Sequence, residues 1–251
     1  VSAAARDALI KELCKELKTP TLYREYQGVA REATNEAVAY EDFLVQVLEA
    51  EVTGRRNSSA GRRLREARFP DVKTLDQIQW DSLQGVSRPK ILELASCAFV
   101  DNAEDVIVAG PIGTGKTHLA IALGVEATRR RKRVYFTRVA DLVRDLLEAR
   151  DERKLGRLQA KLQRIPLLVL DEFGFVPFDR AGGELLFNLL ADRHERRSTI
   201  LTTNLAFKEW VDVLGDEKLT TALLDRLASR AHVLTTKGKS YRSRRKRQSK
   251  S

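Results

Sequence analysis

"VIVAGPIGTGKTHLAIAL", residues 106–123, decides the fold. Four apolar residues, Val106 to Ala109, run into a glycine-rich break, a lone lysine and a second apolar run. The first run reads as a buried strand and the second as a helix, with the glycines on the turn between them. Gly110, Pro111, Ile112, Gly113, Thr114, Gly115, Lys116 and Thr117 match G-x-x-x-x-G-K-[ST]. Glycines there let backbone N–H groups turn inward around a phosphate chain that side chains would block. A helix opening at Gly115 points its positive end at the same anion. Lys116 then reaches the β- and γ-phosphates, and Thr117 offers its hydroxyl to Mg²⁺.

Outward from this loop the pattern repeats. "DVIVAG", "RVYFTR", "IPLLVLDE" and "STILTTN" are short apolar strands, with helices expected from Gly115, from about Asp141 and from Gly183 to His194. Strands that read as unbroken apolar runs belong to a parallel sheet covered on both faces, so the class is α/β. "LLVLDE" ends in Asp171 and Glu172, 54 residues after Thr117. Asp171 is the expected partner of Mg²⁺, and Glu172 is placed to polarise an attacking water. Asn204, at the end of "STILTTN", can orient that water beside the γ-phosphate. Arg226 and Arg230, in "TALLDRLASRAHVL", share one helix face. They are either solvated or ion-paired surface charges, or one of them is a finger for a neighbouring subunit's nucleotide.

Before the α/β region, residues 1–68 read as helical. Leu9, Leu13 and Leu17 recur at helical spacing and Pro20 ends that stretch; a second helix is expected over Leu22 to about Ala39 and a third from near Glu41. "TGRRNSSAGRRLREARFP", residues 53–70, is expected to break the pattern at Gly54, the Asn57-Ser58-Ser59 cluster and Gly61. A boundary near Phe69-Pro70 gives a helical domain over 1–68, a second domain over 69–236 and a basic tail over 237–251.

Composition limits the function classes. Net charge is +10, and the tail "KGKSYRSRRKRQSKS" carries eight Lys/Arg and no acid, leaving about +2 for the rest. Such a tail is expected to have no fold of its own and to favour a polyanionic partner. No window approaches the ~18 uninterrupted apolar residues of a membrane span, and the charged N-terminus lacks the apolar block of a signal peptide. The expectation is a soluble, cytoplasmic protein without a membrane partner. Cys14 and Cys97 stand far apart, and His118, His194 and His232 are scattered. No metal site built of protein ligands alone is expected.

The order of the phosphate loop, Asp171-Glu172, Asn204 and Arg226/Arg230 resembles the AAA+ ATPases of the initiator and helicase-loader clade. "YEDFLVQVLEAEV" (40–52), "RRLREARFPDVKTLDQIQW" (62–80) and "KGKSYR" (237–242) bring the chain nearest to the IstB-type transposition helpers of insertion sequences. DnaC-type helicase loaders share the ATPase core and the "SYR" ending. The resemblance covers about residues 15 to 242. It implies an AAA+ P-loop NTPase with a central parallel sheet, preceded by a small all-helical N-terminal domain. It also implies a Mg²⁺-dependent ATPase that joins subunits through ATP into a homo-oligomer, holds double-stranded DNA in the bacterial cytoplasm and recruits a DDE transposase. The family's finger falls on Arg226 or Arg230, with Arg230 preferred. One departure is that no helical lid follows "AHVL", which puts a lid-borne arginine in doubt. The alternatives are a replicative helicase loader and, from a different class, a small-molecule kinase built on the same loop.

DNA affinity comes chiefly from neutralised phosphates. Three segments supply the charge: the linker arginines Arg55, Arg56, Arg62 and Arg63; the "RKLGRLQAKLQR" stretch with Arg153, Lys154, Arg157, Lys161 and Arg164; and the tail. In the second, Leu155, Leu158 and Leu162 are expected to anchor one helix face and leave the basic face outward. "RRRKR", 129–133, reads instead as a helix C-terminus, where cations are favourable. No base-reading constellation stands out, so sequence-tolerant binding is expected. The N-terminal helices are expected to bind either DNA or a protein partner.

Overall fold

A computed structural model describes residues 2–238 and Ser240. The chain forms two compact units, Val1–Arg62 and Arg63–Ser251.

The first unit is helical. Helix α1 covers Ala3–Glu16, α2 Pro20–Asn35, and α3 starts at Tyr40 and runs to Glu66 in the second unit. Pro20 opens α2 at a position where its missing N–H costs nothing. Thr19 makes no side-chain cap; Glu51 of α3 takes that role, accepting the Leu22 N–H at 2.8 Å. The expected break at Gly54, Asn57-Ser58-Ser59 and Gly61 is absent, and the helix ends only at Glu66. Gly54 lies inside α3 because α3 approaches α2 closely: a Cβ there would run into the Thr21 side chain. The apolar stripe of α1 is not core within this unit, since Leu9, Leu13 and Leu17 remain 59, 48 and 68% exposed.

The second unit opens with two short 3₁₀ turns, Leu75–Gln77 and Trp80–Ser82, then α4 (Arg88–Ala95) and α5 (Ala98–Asp101). Strand β1 (Asp105–Ala109) leads to α6 (Lys116–Arg129), and β2 (Val134–Arg138) to α7 (Val139–Asp151) and α8 (Leu155–Gln163). Next come β3 (Leu167–Phe173), α9 (Arg180–Arg193) and β4 (Ser198–Thr203). Helices α10 (Trp210–Leu214) and α11 (Glu217–Ser229) precede β5 (Ala231–Thr235). Asp179 and Asp216 cap α9 and α11, accepting the Gly182 and Leu219 N–H groups at 2.8 Å each. Among the described residues no helix follows β5.

The sheet is parallel throughout, in the order β2-β3-β4-β1-β5. Both faces are covered, as the apolar runs require. Val106, Val108, Leu167, Val169 and Ile200 join one core with Leu119 and Leu123 of α6; Ile107, Leu168, Leu170 and Leu201 join the other with residues of α7, α9 and α11. Such period-2 alternation follows directly from the pleat. At the N-terminal end of the strands, buried Arg193 closes the connections. It donates to Leu162 O (2.7 Å), Ile165 O (3.0 Å) and Ser198 O (2.6 Å), while Asp105 accepts the Thr199 N–H at 2.7 Å. Cys14 and Cys97 are both buried free thiols, and burial pushes Cys97 up to about 11. No described helix is long and apolar enough to cross a membrane.

Candidate functional site

Every strand of a parallel sheet points its C-terminal end the same way, so β1, β3 and β4 deliver their last residues to one edge. Between β1 and α6 the loop 110–115 turns with Gly113 at φ +80° and Gly115 at φ +94°, both in the left-handed region. Gly115 is the N-cap of α6 and supplies no side-chain cap, which leaves the first-turn N–H groups facing the loop. A Cβ on Gly110 would collide with Thr236, and one on Gly113 with the Ser240 side chain. The segment after β5 therefore lies against the loop. The Thr236 hydroxyl donates to Ala109 O (3.1 Å) and pairs with the Thr114 hydroxyl at 2.7 Å.

Lys116 Nζ donates to Gly110 O (2.7 Å) and Pro111 O (2.8 Å), so the loop wraps its own cation. Burial pulls this ammonium below the usual lysine range, while the charges of Asp171 and Glu172 oppose that shift. Thr117 Oγ1 donates to Asp171 Oδ1 at 3.0 Å, which brings together two motifs 54 residues apart. Both are hard oxygen ligands of the kind Mg²⁺ takes, and Mg²⁺ usually combines one or two carboxylates with water and substrate phosphates. The donor set fits that ion in the presence of a triphosphate; among the described residues no group of three or more His, Cys, Asp and Glu could hold a metal.

Glu172 is exposed toward the opening, with φ +62°, and its carboxylate faces Arg138 of β2 at 3.6 Å. Glu172 and Asn204 line the same cleft of ≈ 610 Å³ as the loop. Sequence reasoning missed the cleft's other wall. Lys73, Gln77, Ile78, Gln79 and Leu83 complete it, from the two 3₁₀ turns and their flanks. His118 Nε2 and Thr74 O, 3.1 Å apart, tie this wall to α6. The stretch 62–80 entered the sequence reading only through the family resemblance; Lys73 and the apolar and amide side chains beside it become part of a site only because the chain folds back over α6. This apolar wall and the polar loop give one cleft two chemistries, as a nucleotide needs.

The two arginines separate. The Arg226 guanidinium lies 5.2 Å from the Phe187 ring centroid and donates to Ala222 O at 2.9 Å. Arg230 ends α11 with its side chain exposed, 3.9 Å from Glu195. Its carbonyl accepts the Asp105 N–H at the start of β1. The loop follows the other end of β1, about 13 Å away at a strand rise of ~3.3 Å per residue. Arg230 therefore does not reach its own chain's cleft.

The basic candidates are divided between the units. Arg55 donates to Glu51 and to Lys18 O at 2.7 Å each, inside the first unit; Arg56 and Arg62 lie further along α3. Arg63 donates to Thr128 O at 3.1 Å, at the end of α6. On α8, Leu162 is buried and Leu155 and Leu158 are partly buried, while Arg153, Lys154, Arg157, Lys161 and Arg164 are all exposed. Lys154 pairs with Glu152 at 2.7 Å. Of the tail, only Lys237, Gly238 and Ser240 fall within the described residues.

A phosphate loop after β1, with the acids at the end of a strand separated from β1 by β4, defines a P-loop NTPase of the AAA+ type. Solved structures share this fold. The DnaC helicase loader aligns with a TM-score of 0.54 and 25% identity over 65% of this chain and 96% of that one. DnaI aligns with a TM-score of 0.56 and 19% identity over 70% and 94%. The model of the IstB-like ATP binding protein family matches residues 12–249, and the chain belongs to that family. It is 40% identical over 238 residues to the ATP-binding protein of insertion sequence IS21 from Pseudomonas aeruginosa, covering 95% of this chain and 90% of that one. It is 35% identical to the corresponding protein of IS5376 from Geobacillus stearothermophilus, covering 95% of each.

Proposed function

We propose that the chain is an ATP-driven helper of DNA transposition that assembles through ATP into a multimer on target DNA, remodels it and recruits a transposase of the DDE type. The observation that carries the ATPase part is the 3.0 Å approach of Thr117 Oγ1 to Asp171 Oδ1 beside the lysine of the phosphate loop. The insertion-sequence relatives, which match 95% of this chain, support transposition and a bacterial cytoplasmic setting.

In this reading the loop N–H groups and α6 hold the phosphates, and Lys116 gives up its loop carbonyls to bind them. Thr117 and Asp171 would hold Mg²⁺, which supplies charge neutralisation at the β- and γ-phosphates. Glu172 takes a proton from the attacking water, and Asn204 orients that water. Arg230 serves the cleft of a second copy, which makes ATP the joint between subunits. Duplex DNA meets the exposed face of α8, with α3 and the tail as further contacts, through phosphates and without base reading. The domain division proposed is a helical partner-binding region over 1–68, an ATPase over 69–236 and a basic tail over 237–251.

The DnaC alignment supports a second reading, a helicase loader with the same ATPase; it covers 65% of this chain, against 95% for the insertion-sequence relatives. Electron microscopy of the protein with duplex DNA and a non-hydrolysable ATP analogue tests the assembly. Multimers on DNA that need the analogue are expected. Protein that stays monomeric and off the duplex in both conditions refutes the proposal. The Glu172→Gln variant should bind ATP and accumulate in the assembled state.

A further inference from the structure

The acidic pair sits on an irregularity. Leu170 pairs with Leu201 across β3 and β4, but the next pairing is Phe173 with Thr203. Three residues of β3 thus span two of β4, the signature of a bulge. A regular pleat would put Phe173 on the face of Leu167 and Val169. Instead it joins Leu168 and Leu170 in the opposite core. The extra residue is Glu172, exposed and left-handed at φ +62°, a conformation that surroundings must hold in place for a residue with a Cβ.

Thr202 lies opposite the bulge and is 1% exposed. Its hydroxyl accepts the Glu172 N–H at 3.0 Å and donates to Asp171 Oδ1 at 2.5 Å. One side chain thereby satisfies the backbone group at the bulge and fixes the carboxylate that Thr117 also contacts at 3.0 Å. The hydroxyl's one proton and a lone pair meet both demands, and no other natural side chain except serine offers the same pair of roles at this length.

We propose that Thr202 is the positioning residue of the acidic pair: its hydroxyl sets the left-handed turn that aims Glu172 into the cleft and orients Asp171 toward Thr117. This deepens the ATPase reading and rests on it for its kinetic consequence, but its geometric consequence does not depend on hydrolysis. Thr202→Val keeps the shape and removes the hydroxyl; Thr202→Ser keeps the hydroxyl.

Expected for Thr202→Val is a fall in kcat of about 100-fold, the scale of a misplacement near 1 Å, with nucleotide affinity held within about 3-fold. Thr202→Ser should restore turnover to within about 3-fold of wild type. A crystal structure of Thr202→Val should show Glu172 returned to negative φ. Wild-type turnover by Thr202→Val, equal losses of affinity and kcat, or Glu172 still left-handed in that crystal overturns the proposal. If Thr202→Val does not fold, Thr202→Ala, which also lacks the hydroxyl, carries the same measurements. A wild-type protein that hydrolyses no ATP sinks the ATPase reading, while the Glu172 backbone in the variant still judges Thr202.

Discussion

Replacing Lys116 by alanine tests the site at the cation of its phosphate loop. In the free protein the ammonium is tied to Gly110 O and Pro111 O at 2.7 and 2.8 Å. Binding a triphosphate exchanges these neutral acceptors for anionic ones. Hydrogen bonds to charged groups contribute about 1.5–3 kcal/mol each, and those between two charges are roughly twice as strong as neutral ones. Two exchanged bonds make the lysine's advantage about 3–4 kcal/mol, or 10²–10³-fold in Kd. Partial burial adds to this, because the charge is less screened than at the surface. Calorimetric titration of wild type and Lys116→Ala with a non-hydrolysable ATP analogue measures it. The same variant should fail to form nucleotide-dependent multimers on DNA. Binding within tenfold of wild type would show that the loop lysine does not contact the phosphates, and the site would lose its reading.

Arg230→Ala should leave ATP affinity in dilute protein unchanged and lower turnover at least ~100-fold at assembling concentrations, since trans arginines supply 10³–10⁵ in kcat. If Arg226→Ala has this effect and Arg230→Ala does not, the finger is Arg226 and the assignment to Arg230 is wrong. Replacing Arg157, Lys161 and Arg164 together by alanine should reduce the slope of log K for DNA against log salt by about 2–3; an unchanged slope removes α8 from the DNA interface. Asp105 gives a pH signature: burial, opposed by the Thr199 N–H and Arg193, raises its carboxyl from 3.8 to about 7. A raised folded value means stability is full below the unfolded value and is lost as pH rises through about 7. The shift of about 3 units corresponds to ~4 kcal/mol. Urea unfolding of Asp105→Asn should therefore show a gain over wild type at pH 8 that shrinks toward pH 4; a pH-independent difference counters it.

Much of the second unit is legible because its signals are local. The strands read as apolar runs since both sheet faces are covered, and the phosphate loop reads as a motif since one turn supplies all its residues. What the sequence left unread, or misread, depended on segments distant in the chain. Gly54 looks like a breaker in "TGRRNSSAGRR", yet α3 passes through it because α2 needs the space. Leu9, Leu13 and Leu17 keep helical spacing but stay exposed in their own unit, because spacing fixes which residues share a face and not what covers that face. Arg63 reads in sequence only as a basic candidate for DNA, and nothing in its window shows that the end of α6 takes one of its donors.

The residues themselves determined the phosphate loop, the acidic pair, the parallel sheet and the family, because each is written in contiguous stretches whose chemistry needs no partner to be recognised. Only the tertiary structure decided that Thr117 meets Asp171, that the 3₁₀ segment walls the cleft, that Arg230 lies at the far end of β1 from its own loop, and that Glu172 sits on a bulge opposite Thr202 and lines the cleft. Those facts depend on strand order and register, which arise from how distant segments pack and leave no pattern in any single window of sequence.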